Sequence, residues 1–250
     1  TTDLERWRLA TDAAIAAGLA AQASVGHILG PAADDVLAPL RDAAGGGKRL
    51  RALLVLASHA AHRGRAQESA VGVAAALELF QTAALIHDDV LDDSDTRRGM
   101  PATHRRVEAL HAAADWHGDS AAYGRAGAVL AGDLALMSCH RTLDGALRGL
   151  PGSDAARAGD LFAEMSDLVT LGQYADMRAA AQPITSLATQ ADEIRAVMRT
   201  KTASYTAEFP LALGAAHQQR LAEQQSHHDA DEEEESVAPN GQSRAVRNWS

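Results

Sequence analysis

Cysteine occurs once in the 250 residues, at Cys139. A single thiol excludes an internal disulfide framework and a cysteine-built zinc site, and a reducing cytoplasm is the expected setting. Lysine is almost as scarce: of 23 basic residues only Lys48 and Lys201 are lysine. Aromatic residues make up 4% of the chain, so strand-forming composition is poor. No uninterrupted apolar run reaches the ~18–20 residues that cross a bilayer, and no charged-then-apolar leader opens the chain. Neither a membrane span nor a secretion signal is expected. Positive charge is also in deficit, and a net charge of −10 argues against a general nucleic-acid binder.

Alanine is what the chain has in plenty, 56 of 250 residues. It is the strongest helix former, so the expected fold class is all-α. Helical spacing of Leu4, Trp7, Leu9, Ile15 and Leu19 predicts an amphipathic helix over 3–24. Gly30-Pro31 breaks it, and Gly45-Gly46-Gly47 is a loop. Further helices are expected over 51–62, 69–91, 126–148, 155–181 and 189–216, with a turn at 93–101 and Pro210 as a kink or break. The stretch 69–91 is the most apolar and should be the core helix. From 217 the character changes to Gln-Gln, His-His and an acidic run at 229–235. That composition has no apolar face to bury, so residues 1–216 are expected to form the helical domain and 217–250 a disordered acidic tail.

The end of the core helix carries the first chemical pattern, His87-Asp88-Asp89-Val-Leu-Asp92-Asp93. Asp88 and Asp92 are four apart and project from one helix face, where like charges repel. They also sit at the end of the helix that disfavours anions. A hard divalent cation removes both penalties, and Mg²⁺ suits one or two carboxylates completed by water and phosphate oxygens. Arg97 and Arg98 follow, able to fork onto diphosphate oxygens. Upstream, Gly45-Gly46-Gly47-Lys48-Arg49-Leu50-Arg51 places three cations on a glycine loop at a helix start, an anion site without Walker spacing. Lys201-Thr202 adds a cation and a hydroxyl that read as a diphosphate contact.

Taken in order, Gly46-Gly47-Lys48-Arg49-Leu50-Arg51, Leu85-Ile-His-Asp88-Asp89-Val-Leu-Asp92, Thr96-Arg97-Arg98-Gly99, Gly172-Gln173-x-x-Asp176 and Lys201-Thr202 resemble the trans-isoprenyl diphosphate synthases, or polyprenyl synthetases. The resemblance implies an isoprenoid-synthase helical bundle, a homodimer, and Mg²⁺-dependent condensation of an allylic diphosphate with isopentenyl diphosphate. It makes Asp88 and Asp92 the metal ligands, with Asp89 alongside, and Arg97 a contact to the allylic diphosphate. Lys48, Arg51, Gln81 and Arg98 fall at the isopentenyl diphosphate site. Lys201 and Thr202 form a second allylic clamp, and Gln173 and Asp176 line the cavity beside the metals. The catalytic set expected is therefore Asp88, Asp89, Asp92, Arg97 and Lys201.

The family pattern also includes a second aspartate-rich motif, expected near 240–247. The sequence there is Asn240-Gly-Gln-Ser-Arg-Ala-Val, so the expectation is a bundle lacking its C-terminal helices and a chain of reduced activity. A chain growing from Asp88 would pass Ala84 and meet Phe80 two turns back, with Ala83 adjacent. Two alanines there leave room to Phe80, implying a product of twenty carbons or more. Two other readings stay open. One is an all-α His-Asp phosphohydrolase using His87-Asp88 with His59 or His62 and Asp133. The other is a non-catalytic synthase-like subunit.

Overall fold

The computed structural model describes residues 2–64, 66–183 and 187–216, without the side chains of 187–189, 201 and 202. The tail expected from 217 onward lies outside the described residues. Helix α1 (Asp3–Gly26) opens with a capping box, in which the Glu5 amide donates to Thr2 Oγ1 and the Thr2 amide to Glu5 Oε2. Helix α2 (Pro31–Ala44) follows, where the sequence suggested only a break. Gly30, at φ +58°, turns the chain, and Pro31 begins the helix because a first-turn residue needs no amide donor. Helices α3 (Leu50–Ala61) and α4 (Gln67–Leu91) match expectation within two residues.

A short hairpin, β1 (Thr96–Arg97) and β2 (Met100–Pro101), replaces the simple turn expected at 93–101. Its two central residues, Arg98 and Gly99, have φ of 54° and 78°, the left-handed pair that matches strand twist. Helix α5 (Thr103–Ala113) had no expectation attached to it; His104, Arg105, Arg106 and Glu108 blur its apolar period. Helix α6 (Ser120–Leu147) starts six residues earlier than expected, because Asp119 caps it through the amides of Ala121 and Ala122. Helix α7 (Gly152–Ala181) follows. The single helix expected over 189–216 is instead α8 (Leu187–Val197), a π-helical stretch Met198–Glu208, and α9 (Phe209–Ala215). Pro210 lies in the first turn of α9, where its missing N–H costs little.

Helix α4 runs through the core. Val73, Ala74, Ala75, Ala76, Leu77 and Leu79 are fully buried, and its most extensive packing is against α6. Ala128, Ala131 and Ala135 face it from α6, so small residues meet small residues. The membrane expectation needs correction. The stretches Asp3–Leu29 and Gln67–Leu91 are both long and apolar enough to cross a bilayer by length and composition. Alanine produces this without a run of large apolar residues. In α4 most of that stretch is buried among other helices, which is the mark of a core helix.

Arg49 joins four elements. At φ 51° it turns inward, and it is only 5% exposed. Its Nε donates to Asp12 Oδ1 of α1 at 2.8 Å, Nη2 to the Ala44 carbonyl at 2.8 Å, and Nη1 faces Glu78 Oε2 of α4 at 3.5 Å. Glu78 also accepts from the Ala52 amide of α3. Arg49 is thus no part of an exposed anion loop, as its neighbours suggested. A buried guanidinium is tolerated only when it is paired this fully.

Packing at two glycines gives opposite expectations. A methyl on Gly214 would lie 2.3 Å from the Val55 carbonyl and 2.6 Å from Ser58 Cβ. Gly214→Ala should destabilise by about 1–3 kcal/mol. Gly145 is exposed within α6 with nothing within 4 Å of an added methyl, so Gly145→Ala should stabilise by up to about 1 kcal/mol. Thermal melts followed by circular dichroism check both, and equal shifts of one sign would contradict this packing.

Candidate active site

Helix α4 emerges from the core at its C-terminal end carrying Asp88, Asp89 and Asp92. The core packing decides which way each points. Asp88 opens into a cavity of about 470 Å³. Its Oδ1 accepts from Gln173 Nε2 of α7 at 2.8 Å, and Oδ2 lies 3.6 Å from Arg97 Nη2. Asp89 turns the other way, is buried, and accepts from Arg97 Nε at 2.8 Å and also from Nη2. Asp92 is exposed at the helix C-cap, its amide bonded to the Asp88 carbonyl. The Arg97 guanidinium is held above its ordinary pKa, first by the Asp89 hydrogen bond and then by the charges of Asp89, Asp88 and Asp92. Further along, Arg105 pairs with Asp93, Asp95 and Glu108.

The cavity runs back along α4. Ala83, Ala84 and Gln81 form one wall, Val169, Gln173 and Met177 of α7 face them, and Phe80 and Tyr205 lie at the inner end. Phe80 packs edge-on against Tyr205 and Phe162, with ring centroids 5.9 and 6.2 Å apart. Arg51 reaches the same cavity from α3. Its guanidinium carbon sits 4.1 Å over the Tyr205 ring, and its Nη2 donates to Thr206 Oγ1 at 3.2 Å. Three buried polar atoms in this wall, Gln81 Oε1, Arg51 Nε and Tyr205 Oη, have no hydrogen-bond partner among the described residues. Burial pushes the Tyr205 phenol well above its usual range, so it stays a donor. Orphaned buried polar atoms are costly, and several lining one cavity indicate a polar ligand.

A second cleft, about 380 Å³, lies on the other side of α4. Gly45, Gly46 and Gly47 line it with Arg97, Arg98 and Asp89, while Leu85 lines both spaces. Arg98 donates Nη1 to the Gly45 carbonyl at 3.1 Å. Its guanidinium lies 3.2 Å from where a Gly47 Cβ would stand, and Gly47 has φ +86°, so glycine is required there.

The residues singled out by sequence are therefore divided. Asp88, Gln173, Arg51, Gln81, Phe80, Ala83 and Ala84 line the first cavity, and Arg97 and Arg98 the second. Lys48 is exposed and lines neither, and Asp176 is exposed one turn beyond Gln173. The backbone of Lys201 and Thr202 lies in the π-helical stretch that carries Tyr205 and Thr206; their side chains are outside the described residues. Tyr205 and Thr206 were missed by sequence reading, although Tyr205 stands one helical turn after Lys201.

The donor chemistry at the α4 terminus suits Mg²⁺. Among the described residues no three His, Cys, Asp or Glu groups converge into a protein-only metal cage. Two carboxylates on successive turns still match an ion that takes most of its shell from water and phosphate. The phosphohydrolase arrangement does not assemble. His87 Nε2 is 3.2 Å from the Val129 carbonyl and 3.6 Å from Asp133, His62 bonds the Ser58 carbonyl, and His59 is buried in the core.

Similarity to known proteins extends over most of the chain. The model of the polyprenyl synthetase family matches residues 34–233. A geranylgeranyl diphosphate synthase of Sulfolobus acidocaldarius is 36% identical over 132 residues, covering 53% of this chain and 35% of that protein. A farnesyl diphosphate synthase of Bacillus subtilis is 32% identical over 168 residues, 63% of this chain and 48% of that one. The chain thus spans between about a third and a half of the length of these curated relatives. The crystal structure of a geranylgeranyl pyrophosphate synthase from Corynebacterium glutamicum, complexed with isoprenyl diphosphate and magnesium, is similar with a TM-score of 0.76 and 35% identity, covering 86% of this chain and 60% of that one.

A buried histidine beside the site yields a pH expectation. His104 is 1% exposed and 3.8 Å from Asp93, and burial holds its pKa below the ordinary imidazole value. As pH falls through that ordinary value, the unfolded chain takes up the proton first, so stability is lost toward acid. The melting temperature should fall between about pH 7 and about pH 5. The fall should be shallower in His104→Leu, and an equal slope in both proteins would contradict the assignment.

Proposed function

This chain belongs to the polyprenyl synthetase family, and from that premise we propose that it condenses an allylic diphosphate with isopentenyl diphosphate to a longer trans-prenyl diphosphate. The observation that supports this most is the first cavity: a carboxylate mouth at Asp88, small alanine walls, and an aromatic end at Phe80. A prenyl diphosphate has the same polarity, a charged head and a long apolar tail.

Asp88 and Asp92 would hold Mg²⁺, which when bound screens the carboxylates and stabilises charge on the leaving diphosphate. Arg97 supplies a fixed positive charge beside Asp88, oriented by Asp89. Lys201 and Thr202 are assigned to a second contact with the same diphosphate. Ala83, Ala84 and Val169 keep water from the delocalised allylic cation. Arg98 and the glycine loop, with Lys48 beside it in sequence, are assigned to the isopentenyl diphosphate; Arg51 and Gln81, which the resemblance grouped with them, line the first cavity on the other side of α4 instead. Gln173 fixes Asp88, and Asp176, one turn further along α7, is assigned a polar role beside the metals by the resemblance alone. The proton released after C–C bond formation passes to the departing diphosphate, so no protein nucleophile is needed.

The same reading includes a homodimer. Tyr123, Leu130 and Met137 recur every seven residues on α6 and are 42%, 60% and 56% exposed, which supports pairing of this face with a second copy. A cytoplasmic location is part of the same reading, resting on the single cysteine of the chain, Cys139.

Two measurements test the proposal. Calorimetric titration of Mg²⁺ with an allylic diphosphate present should show binding that weakens at least ~10-fold in Asp88→Asn; equal binding in the two proteins would refute the metal site. Among products, the cavity predicts twenty carbons or more, shortened by Ala83→Phe and lengthened by Phe80→Ala. A mainly fifteen-carbon product from the unaltered chain would contradict the role given to Phe80.

A further inference from the structure

One large side chain interrupts an otherwise small-residue face of α4. Ala76, Phe80 and Ala84 are spaced by four and share that face, and Ala84 lines the cavity. Ala76 and Leu77, one turn deeper, are fully buried. Phe80 is therefore the large side chain at the end of the cavity, and the next residue on its face, Ala76, is small and buried behind it. An aromatic ring attached by one flexible χ1 bond blocks a groove only while something prevents it from rotating aside.

Two rings meet Phe80 edge-on. Tyr205 contacts it at 5.9 Å with planes 74° apart, and Phe162 of α7 at 6.2 Å with planes 82° apart. Tyr205 faces the cavity and is committed to Arg51 above it. Phe162 is different: it is 2% exposed and does not line the cavity. It does not line that space, yet it packs edge-on against the Phe80 ring from behind the cavity wall.

Resting on the prenyl diphosphate reading above, we propose that Phe162 is a positioning residue for chain length: it pins the Phe80 ring across the cavity and so sets how long a hydrocarbon the cavity accepts. Ring edge against ring face is the favoured aromatic arrangement, and two such contacts, from α7 and from the π-helical stretch, restrict rotation of the Phe80 ring. Replacing Phe162 with a shorter, narrower side chain frees that rotation without touching the cavity wall. The groove then deepens along Ala76, by about one helical turn or ~5 Å, the length of roughly one isoprene unit.

The test uses the full chain, Mg²⁺ and unreactive allylic thiolodiphosphates of fifteen, twenty, twenty-five and thirty carbons, with affinity read by calorimetry. Wild type should show a break of at least ~10-fold between two successive lengths. Phe162→Leu should move that break one isoprene unit longer, as Phe80→Leu does. The double variant should move it no further than Phe80→Leu alone, because both act through one ring. A second readout needs no ligand. The chain has three phenylalanines, Phe80, Phe162 and Phe209, so 4-fluorophenylalanine labelling gives three fluorine resonances. The Phe80 line should be single in wild type and split or broaden in Phe162→Leu. An unmoved break with a single unbroadened Phe80 line would overturn the proposal. If wild type binds none of the probes, the prenyl diphosphate reading fails instead, and the fluorine line alone decides the pin: a split line upholds it, a single line overturns it.

Discussion

A helix buried on almost every side cannot end in carboxylates unless something receives their charge. That constraint organises the structure. Helix α4 fills the core with alanine, valine and leucine, then delivers Asp88, Asp89 and Asp92 within its last turn and C-cap. The helix dipole opposes all three. The fold answers for Asp89 with Arg97, carried on the first strand of the hairpin that follows α4. Asp88 receives a neutral donor from Gln173 and keeps one oxygen toward the cavity mouth and Arg97. One carboxylate is thereby spent on structure and the next presented to a ligand, although the two are adjacent in sequence.

The same division of labour occurs at the glycine loop. Lys48, Arg49 and Arg51 look equivalent in sequence, but the left-handed backbone at Arg49 swings it into the core, where Asp12, Glu78 and the Ala44 carbonyl absorb its donors. With that anchor set, Lys48 remains at the surface and Arg51 enters the first cavity from the opening turn of α3. Arg98 then closes onto the loop from the hairpin. Two cavities on opposite faces of α4, with Leu85 in the wall of both, are the result.

Much of this was legible in the residues. Alanine content and the period of the core helix specify an all-α bundle; Asp88 opens into the first cavity, while Asp92 is the exposed C-cap of α4 and lines neither space. Phe80, Ala83 and Ala84 line one cavity as their spacing from Asp88 implied. What was not legible depends on tertiary direction. Helix α5 was invisible because its buried residues include Thr103, His104 and His111, whose polarity hides the period. The inward turn of Arg49 follows from a backbone angle, not from residue type. The separation of Arg51 and Gln81 from Arg98 follows from α4 passing between them. Tyr205, Thr206 and Phe162 carry no motif of their own. They matter only because π-helical and α7 segments far away in sequence meet Phe80 and Arg51.

The central claim is that α4 builds one continuous path from a carboxylate mouth to an aromatic floor. A crystal structure of the chain with Mg²⁺ and an allylic thiolodiphosphate tests it most directly. The account predicts the diphosphate against Asp88 and Arg97, the hydrocarbon running over Ala84, and its end against the Phe80 ring. A hydrocarbon lying in the second cleft beside Gly46 and Arg98, or extending from Asp88 into solvent, would contradict it.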